Sequence, residues 1–198
     1  DDPSGTKIYG KKDSNITSYT VGHSGSGSFS ATGLPPGLSI NSASGVISGA
    51  TSVTGSQNFT VTATGTTAGG GTVTVSKVYT VEISDPSSFP FRMDLTIASS
   101  KVNSTLTDFP LLVSLSTSIT GFSYNALLDP DSDGIRTGGD LRFYASNGKE
   151  LAYEIADWNT SGTSNIWVKV PAISSSANTV ITAVWGKTGT ETTPDYAT

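Results

Sequence analysis

From Asn58 to Thr64 apolar and hydroxyl side chains alternate without a break, with Phe59, Val61 and Ala63 set against Thr60, Thr62 and Thr64. A period of two puts the two sets on opposite faces of an extended strand. The pattern returns at Thr72–Val75 and Val78–Ile83. It returns again at Arg92–Ile97, Phe109–Leu115, Asp140–Tyr144, Leu151–Trp158, Ile166–Pro171 and Val180–Gly186. No window holds an apolar stripe at i, i+3, i+4, i+7, so helices are not expected. Pro35-Pro36-Gly37 reads as a turn, and Gly45 and Gly49 flank a very short strand, as tight sandwich corners require. The pattern predicts an all-β chain of short strands at sandwich spacing.

A break in the pattern falls at Ser84-Asp85-Pro86-Ser87-Ser88-Phe89-Pro90, where two prolines interrupt the alternation. The expected organisation is therefore two consecutive β-sandwich domains, residues 1–84 and 91–198, joined by a short semi-rigid linker at 85–90. Phe89 and Phe91 are placed to dock on either module. The 198 residues suffice for two such domains, each burying a modest core.

Charge separates the halves. The first 84 residues hold four Lys and four acids, so the whole net charge of −5 falls after Ser84. An acidic chain of pI about 4.6 is a poor match for phosphate backbones, and nucleic acid is not expected as a partner. With no cysteine, disulfide scaffolds, thiolate metal sites and cysteine nucleophiles are excluded together. No apolar run approaches the ~18 residues of a membrane span. Asp1-Asp2-Pro3 reads as an interior cut and Thr193-Pro194-Asp195-Tyr196 as a point where a further module would follow, so neighbouring domains of the same polypeptide are expected partners.

The segment GLPPGLSI (33–40), SGVISGA (44–50) and FTVTAT (59–64) resembles the immunoglobulin-like, cadherin-like repeat of bacterial surface proteins, over about residues 6 to 84. The resemblance implies an immunoglobulin-like sandwich used in tandem arrays, hence a spacer. Cadherin-type calcium sites need acidic clusters that this half lacks. In the second half, FPLLVSL (109–115), DLRFYASNGKELAYEIADWN (140–159), WVKVP (167–171) and ITAVWG (181–186) resemble a bacterial domain catalogued without assigned function, over about residues 90 to 190. That domain occurs in large surface and secreted proteins, often beside lectin-like or glucanase-like modules. The resemblance implies a jelly-roll-like β-sandwich, a secreted or cell-surface location and, by company kept, carbohydrate or surface recognition.

The densest chemical signal is Asp129-Pro130-Asp131-Ser132-Asp133-Gly134-Ile135-Arg136-Thr137-Gly138-Gly139-Asp140. Acids at positions 1, 3, 5 and 12, with Gly at 6, follow the spacing by which one short loop wraps calcium in oxygen ligands. The expected ligands are the carboxylates of Asp129, Asp131, Asp133 and Asp140 and the main-chain carbonyl of Ile135. A solvated acidic turn would use the same residue types. Asp140 also opens the DLRF strand, where it has the alternatives of bonding a turn or pairing with Arg142.

All three tryptophans, Trp158, Trp167 and Trp185, lie in the second half. On Ile166–Val170 the aliphatic residues take one face and Trp167 and Lys169 the other. On the DLRF strand Arg142 and Tyr144 likewise oppose Leu141 and Phe143. An outward set of Trp167, Lys169, Arg142 and Tyr144 would make a polar-aromatic platform for a polysaccharide or cell-surface glycan, with an acidic or sulfated glycan suited to the two cations. The alternative is that the tryptophans pack in the core or at its edge, as Trp185 is expected to do from its parity with Ile181 and Ala183.

No catalytic site is expected. His23, the one histidine, lies in a Gly/Ser-rich stretch with no orienting acid near it. Glu154 and Asp157 are an odd number of residues apart on one strand and so are expected on opposite faces, which argues against their converging on one bond. The sequence therefore predicts a calcium-braced carbohydrate-binding or adhesion module behind a spacer, with a purely structural pair of spacers as the competing reading.

Overall fold

The computed structural model describes residues 5–22, 27–129, 133–134, 136–190, 192–194 and 196. The chain is all-β and divides into two compact units, Asp1–Asp85 with Asn147–Lys149, and Pro86–Ser146 with Glu150–Thr198. Among the described residues no helix is long and apolar enough to cross a membrane.

The first unit contains β1 (Lys7–Lys11), β2 (Tyr19–Thr20), β3 (Gly27–Thr32), β4 (Leu38–Ile40), β5 (Val46–Gly49), β6 (Gly55–Thr66) and β7 (Thr72–Ser84). These form a sheet of order β1-β7-β6-β3 and a second of order β2-β5-β4. β1 runs parallel to β7, while the other pairs are antiparallel. Phe59, Val61, Tyr79, Val81 and Ile83 of the large sheet bury against Leu38 and Ile47 of the small one. A fully buried Phe59, Val81 or Ile47 contributes about 1.5–3 kcal/mol by leaving water. On the opposite face hydroxyls pair across the strands, Thr62 with Ser76 at 2.9 Å and Thr80 donating to Asn58 at 2.8 Å. Gly37 (φ 90°) and Gly49 (φ 118°) sit back to back, where a Cβ on either would strike the carbonyl of Ala50 or of Gly37. Both positions therefore require glycine.

The second unit contains β8 (Phe91–Ile97), β9 (Leu106–Ser116), β10 (Arg142–Ala145), β11 (Tyr153–Asp157), β12 (Thr163–Ile173) and β13 (Thr179–Trp185). Two three-stranded antiparallel sheets, β10-β13-β8 and β11-β12-β9, pack face to face. The described strands number six, against eight in a full jelly roll, so the likeness lies in the packing of two antiparallel sheets. Val113, Leu115, Ile166, Val168 and Val170 of one sheet meet Phe143, Ile181, Ala183 and Trp185 of the other. Trp185 is fully buried, as its parity predicts, with Phe91 stacked on it and Phe122 edge-on. In the joint, Pro86–Ser88 forms a 3-10 turn, and Phe89 closes over Tyr144 and Val184 of the second unit.

The connection from β9 to β10 is long and is stitched to the core rather than left free. The Tyr124 hydroxyl donates to the Leu115 carbonyl at 2.8 Å and accepts the Ser164 N–H at 3.1 Å. Further along, Arg136 Nε donates to the Leu127 carbonyl at 2.9 Å, and Trp158 Nε1 donates to the Arg136 carbonyl.

Candidate functional site

The outer face of the sheet β11-β12-β9 carries the one exposed tryptophan of the chain. β12 is the central strand, and its apolar residues Ile166, Val168 and Val170 face the core, so Trp167 and Lys169 face outward. Trp167 is 43% exposed and lies opposite Leu112 of β9, itself 46% exposed, and Glu154 of β11. Adjacent strands stand about 4.8 Å apart, so these three side chains form one row across the sheet. Asn165 lies opposite Ser114 and Asp157 in the next row, with Ser114 Oγ donating to Asn165 Oδ1 at 2.8 Å. On the other side Lys169 lies opposite Pro110, and its ammonium stands 3.4 Å from Asp108, whose backbone takes a left-handed φ of 48° that aspartate tolerates.

A β-bulge changes what β11 presents. The register runs Glu154 to Trp167 and Ile155 to Ile166, then slips so that Asp157, not Ala156, lies opposite Asn165. One extra residue restores the parity. Glu154 and Asp157 consequently share the outward face, while Trp158 turns inward to meet Tyr124 edge-on at 5.5 Å. The expectation that odd spacing separates the two carboxylates is thus corrected by the bulge. A warning was legible in the sequence: strict alternation from Tyr153 and Ile155 would have sent Trp158 outward together with Glu154.

Arg142 and Tyr144 do not belong to this face and are not outward at all. Both are only 7% exposed. The Arg142 guanidinium donates to the carbonyls of Gly139 and Leu141 at 2.7 Å each, and to those of Thr190 and Thr192 at 3.2 and 2.9 Å. Its Nε lies 3.7 Å from Glu150. Tyr144 packs with Phe89 and Val184, and its hydroxyl donates to Glu150 at 3.3 Å. The physical reason is coverage: the segment after β13 and the Phe89 side chain close over the face of β10 that alternation assigned to solvent. Of the expected platform, Trp167 and Lys169 remain, joined by Leu112, Glu154, Asp157 and Asn165.

The acidic connection is a second candidate. Asp131 and Ile135 lie outside the described residues, as does His23. Asp129 Oδ2 accepts the Gly134 N–H at 2.8 Å, and Asp129 Oδ1 is buried with no hydrogen-bond partner among the described residues. Asp133 is exposed. Asp140 is fully buried, its Oδ2 accepting the N–H groups of Gly186 at 2.6 Å and Leu128 at 3.2 Å, its Oδ1 buried without a described partner. Burial pushes the Asp140 carboxyl above the usual aspartate range, against the pull of those N–H donors and of Arg142. Asp140 thus ties the start of β10 to the end of β13, the turn-bonding alternative open to it from sequence. Among the described residues no group of three or more His, Cys, Asp or Glu stands close enough to hold a metal.

Comparison with known families places two matches on the chain. Residues 3–84 match the family model described as "Putative Ig domain". Residues 137–198 match the one described as "Domain of unknown function (DUF2341)". The second match begins at Thr137, so β8, β9 and the first part of the acidic stretch, Asp129 to Arg136, precede it. No curated protein matches the chain. The two matches fall on separate parts of the chain, the immunoglobulin-like one over the first unit and the one without assigned function over the end of the second.

Proposed function

We propose that the second unit is an extracellular glycan-binding or adhesion module and that the first, immunoglobulin-like unit is a spacer that presents it. The observation that carries the reading is Trp167, exposed on the central strand of its sheet while Trp185 is buried in the core and Trp158 packs against it. An indole lying open beside Leu112 offers the flat apolar surface on which a pyranose ring stacks, and Glu154, Asp157, Asn165 and Lys169 surround it with hydrogen-bonding groups. Trp167 stands on the central strand, hydrogen-bonded to a neighbour on each side, so its backbone is fixed before a ligand arrives.

The same reading assigns calcium to the connection between β9 and β10, as a brace and not as a reagent. The buried, unpartnered Asp129 Oδ1 fits a cation, and Asp131, Asp133 and the Ile135 carbonyl supply further oxygens at the sequence spacing calcium loops use. Asp140 is the weakest of the expected ligands, because its Oδ2 is already engaged by two N–H groups.

Affinity electrophoresis of the full chain through gels containing different polysaccharides tests the first assignment, with retardation expected and its loss in Trp167→Ala. No retardation by any polysaccharide would leave two structural spacers. For the second assignment, calcium is expected to raise the unfolding midpoint of the second unit and to lose that effect in Asp129→Asn/Asp131→Asn. A midpoint unmoved by chelator would remove the brace.

A further inference from the structure

We infer that the glycan taken by the Trp167 face is uncharged and hydroxyl-rich, held by carboxylate acceptors rather than by cations; the inference rests on the proposed glycan-binding role. Two cations were the ground for expecting an acidic ligand, and neither is available in the way expected. Arg142 is buried, with its guanidinium committed to four backbone carbonyls. Lys169 is on the face, but it is accompanied there by the carboxylate of Asp108 at 3.4 Å, in an exposed pair that leaves no surplus of positive charge.

The bulge at Ala156 then adds to the negative charge of the surface. It brings Asp157 round beside Glu154, so the face holds three carboxylates, at Asp108, Glu154 and Asp157, against the single ammonium of Lys169. A uronate or sulfate ester approaching Trp167 meets net like charge on the β11 side. A neutral sugar meets acceptors: ionised carboxylates take only donors, and sugar hydroxyls supply them, through the stronger, charge-assisted kind of hydrogen bond. Asn165 has its amide oxygen occupied by Ser114, which leaves its NH2 group as the donor for a hydroxyl or ring oxygen. The layout has an apolar side, Trp167 with Leu112, and an acceptor side, Glu154 with Asp157. It suits a pyranose whose one face is C–H and whose rim is hydroxyl.

The test is isothermal titration of the full chain with neutral hexasaccharides (gluco-, xylo- and manno-configured) and with oligouronates and sulfated galactans of matched length, at low and at 0.5 M sodium chloride. A neutral hexasaccharide is expected to bind at least tenfold tighter than any charged one, with affinity little changed by salt. Glu154→Gln and Asp157→Asn are each expected to weaken it about three- to tenfold, and Trp167→Ala to abolish it. All three residues are exposed, and the far-ultraviolet spectrum of each variant checks the fold. Tighter binding of a charged glycan that still needs Trp167 would overturn the neutral assignment while leaving the binding role in place. Neutral binding indifferent to both carboxylate substitutions would overturn the acceptor assignment. No binding to either class would overturn the role itself.

Discussion

Replacing Arg142 separates a structural clamp from a ligand-binding cation, and the structure sets the size of the effect. Arg142→Met keeps the aliphatic stem and removes the guanidinium, so packing loss is small. What disappears is a set of hydrogen bonds to Gly139, Leu141, Thr190 and Thr192 and the Glu150 partner at 3.7 Å. Each charged hydrogen bond is worth about 1.5–3 kcal/mol in isolation, but bonds sharing one donor group are not additive. Glu150 keeps a third of its side chain in water, so its lost partner adds little. A net cost of about 3–4 kcal/mol is expected. All three tryptophans lie in the second unit, so their fluorescence in urea follows that unit alone, which matters because a two-unit chain need not unfold in one step. At an m-value of about 1.3 kcal/mol/M, the midpoint should fall by about 2–3 M. Arg142→Lys should recover only part of it, since one ammonium cannot span four carbonyls. A shift under about 0.5 M in Arg142→Met, or loss of glycan binding in a variant that remains folded, would refute the clamp.

Trp185→Ala should destabilise the second unit by about 3–5 kcal/mol, since the ring is fully buried between Phe91 and Phe122, whereas Trp167→Ala should cost under about 2; similar costs in the same urea titration would contradict the assigned exposures. Gly37→Ala should cost the first unit about 2 kcal/mol or more, because a left-handed φ and the Ala50 carbonyl both oppose a methyl there; calorimetry showing the first unit's transition unmoved would refute the back-to-back packing with Gly49. Burial raises the hydroxyls of Tyr153 and Tyr196 above the tyrosine value of 10, with Glu150 beside Tyr196 adding to the rise. The protonated forms are favoured in the folded state, so this contribution is full below pH 10 and is lost as pH climbs through the raised folded values. Tyr196→Phe, which removes the 2.9 Å bond to Glu150, should flatten the alkaline fall in tryptophan-monitored stability, and an unchanged slope would count against it.

Much of the fold was legible because a strand's faces are set by adjacent residues. The alternation at Phe59–Ala63 and Ile166–Val170 named the core sides correctly, and Trp185 was placed in the core by parity with Ile181 and Ala183. Trp167 and Lys169 followed outward by the same rule. The rule failed at β10, where Arg142 and Tyr144 alternate correctly with Leu141 and Phe143 yet every one of the four is buried. It failed again at β11, where Ala156 is inserted against Asn165 and the count of two no longer holds.

What the sequence determined by itself is local: an all-β chain, its strand segments, their inward faces, and the residue types available for a glycan or a cation. What the tertiary structure decided is which outward faces stay open. Alternation reports the side of a strand, but water reaches that side only if no distant segment lies over it. For β10 the covering groups are Phe89, more than fifty residues before it in the chain, and the carbonyls of Thr190 and Thr192, nearly fifty after. For β12 no such segment among the described residues covers the outer face, and Trp167 remains in contact with solvent. The amount of negative charge around it was raised by one inserted residue, because the bulge turns Asp157 to the face that Glu154 already occupies.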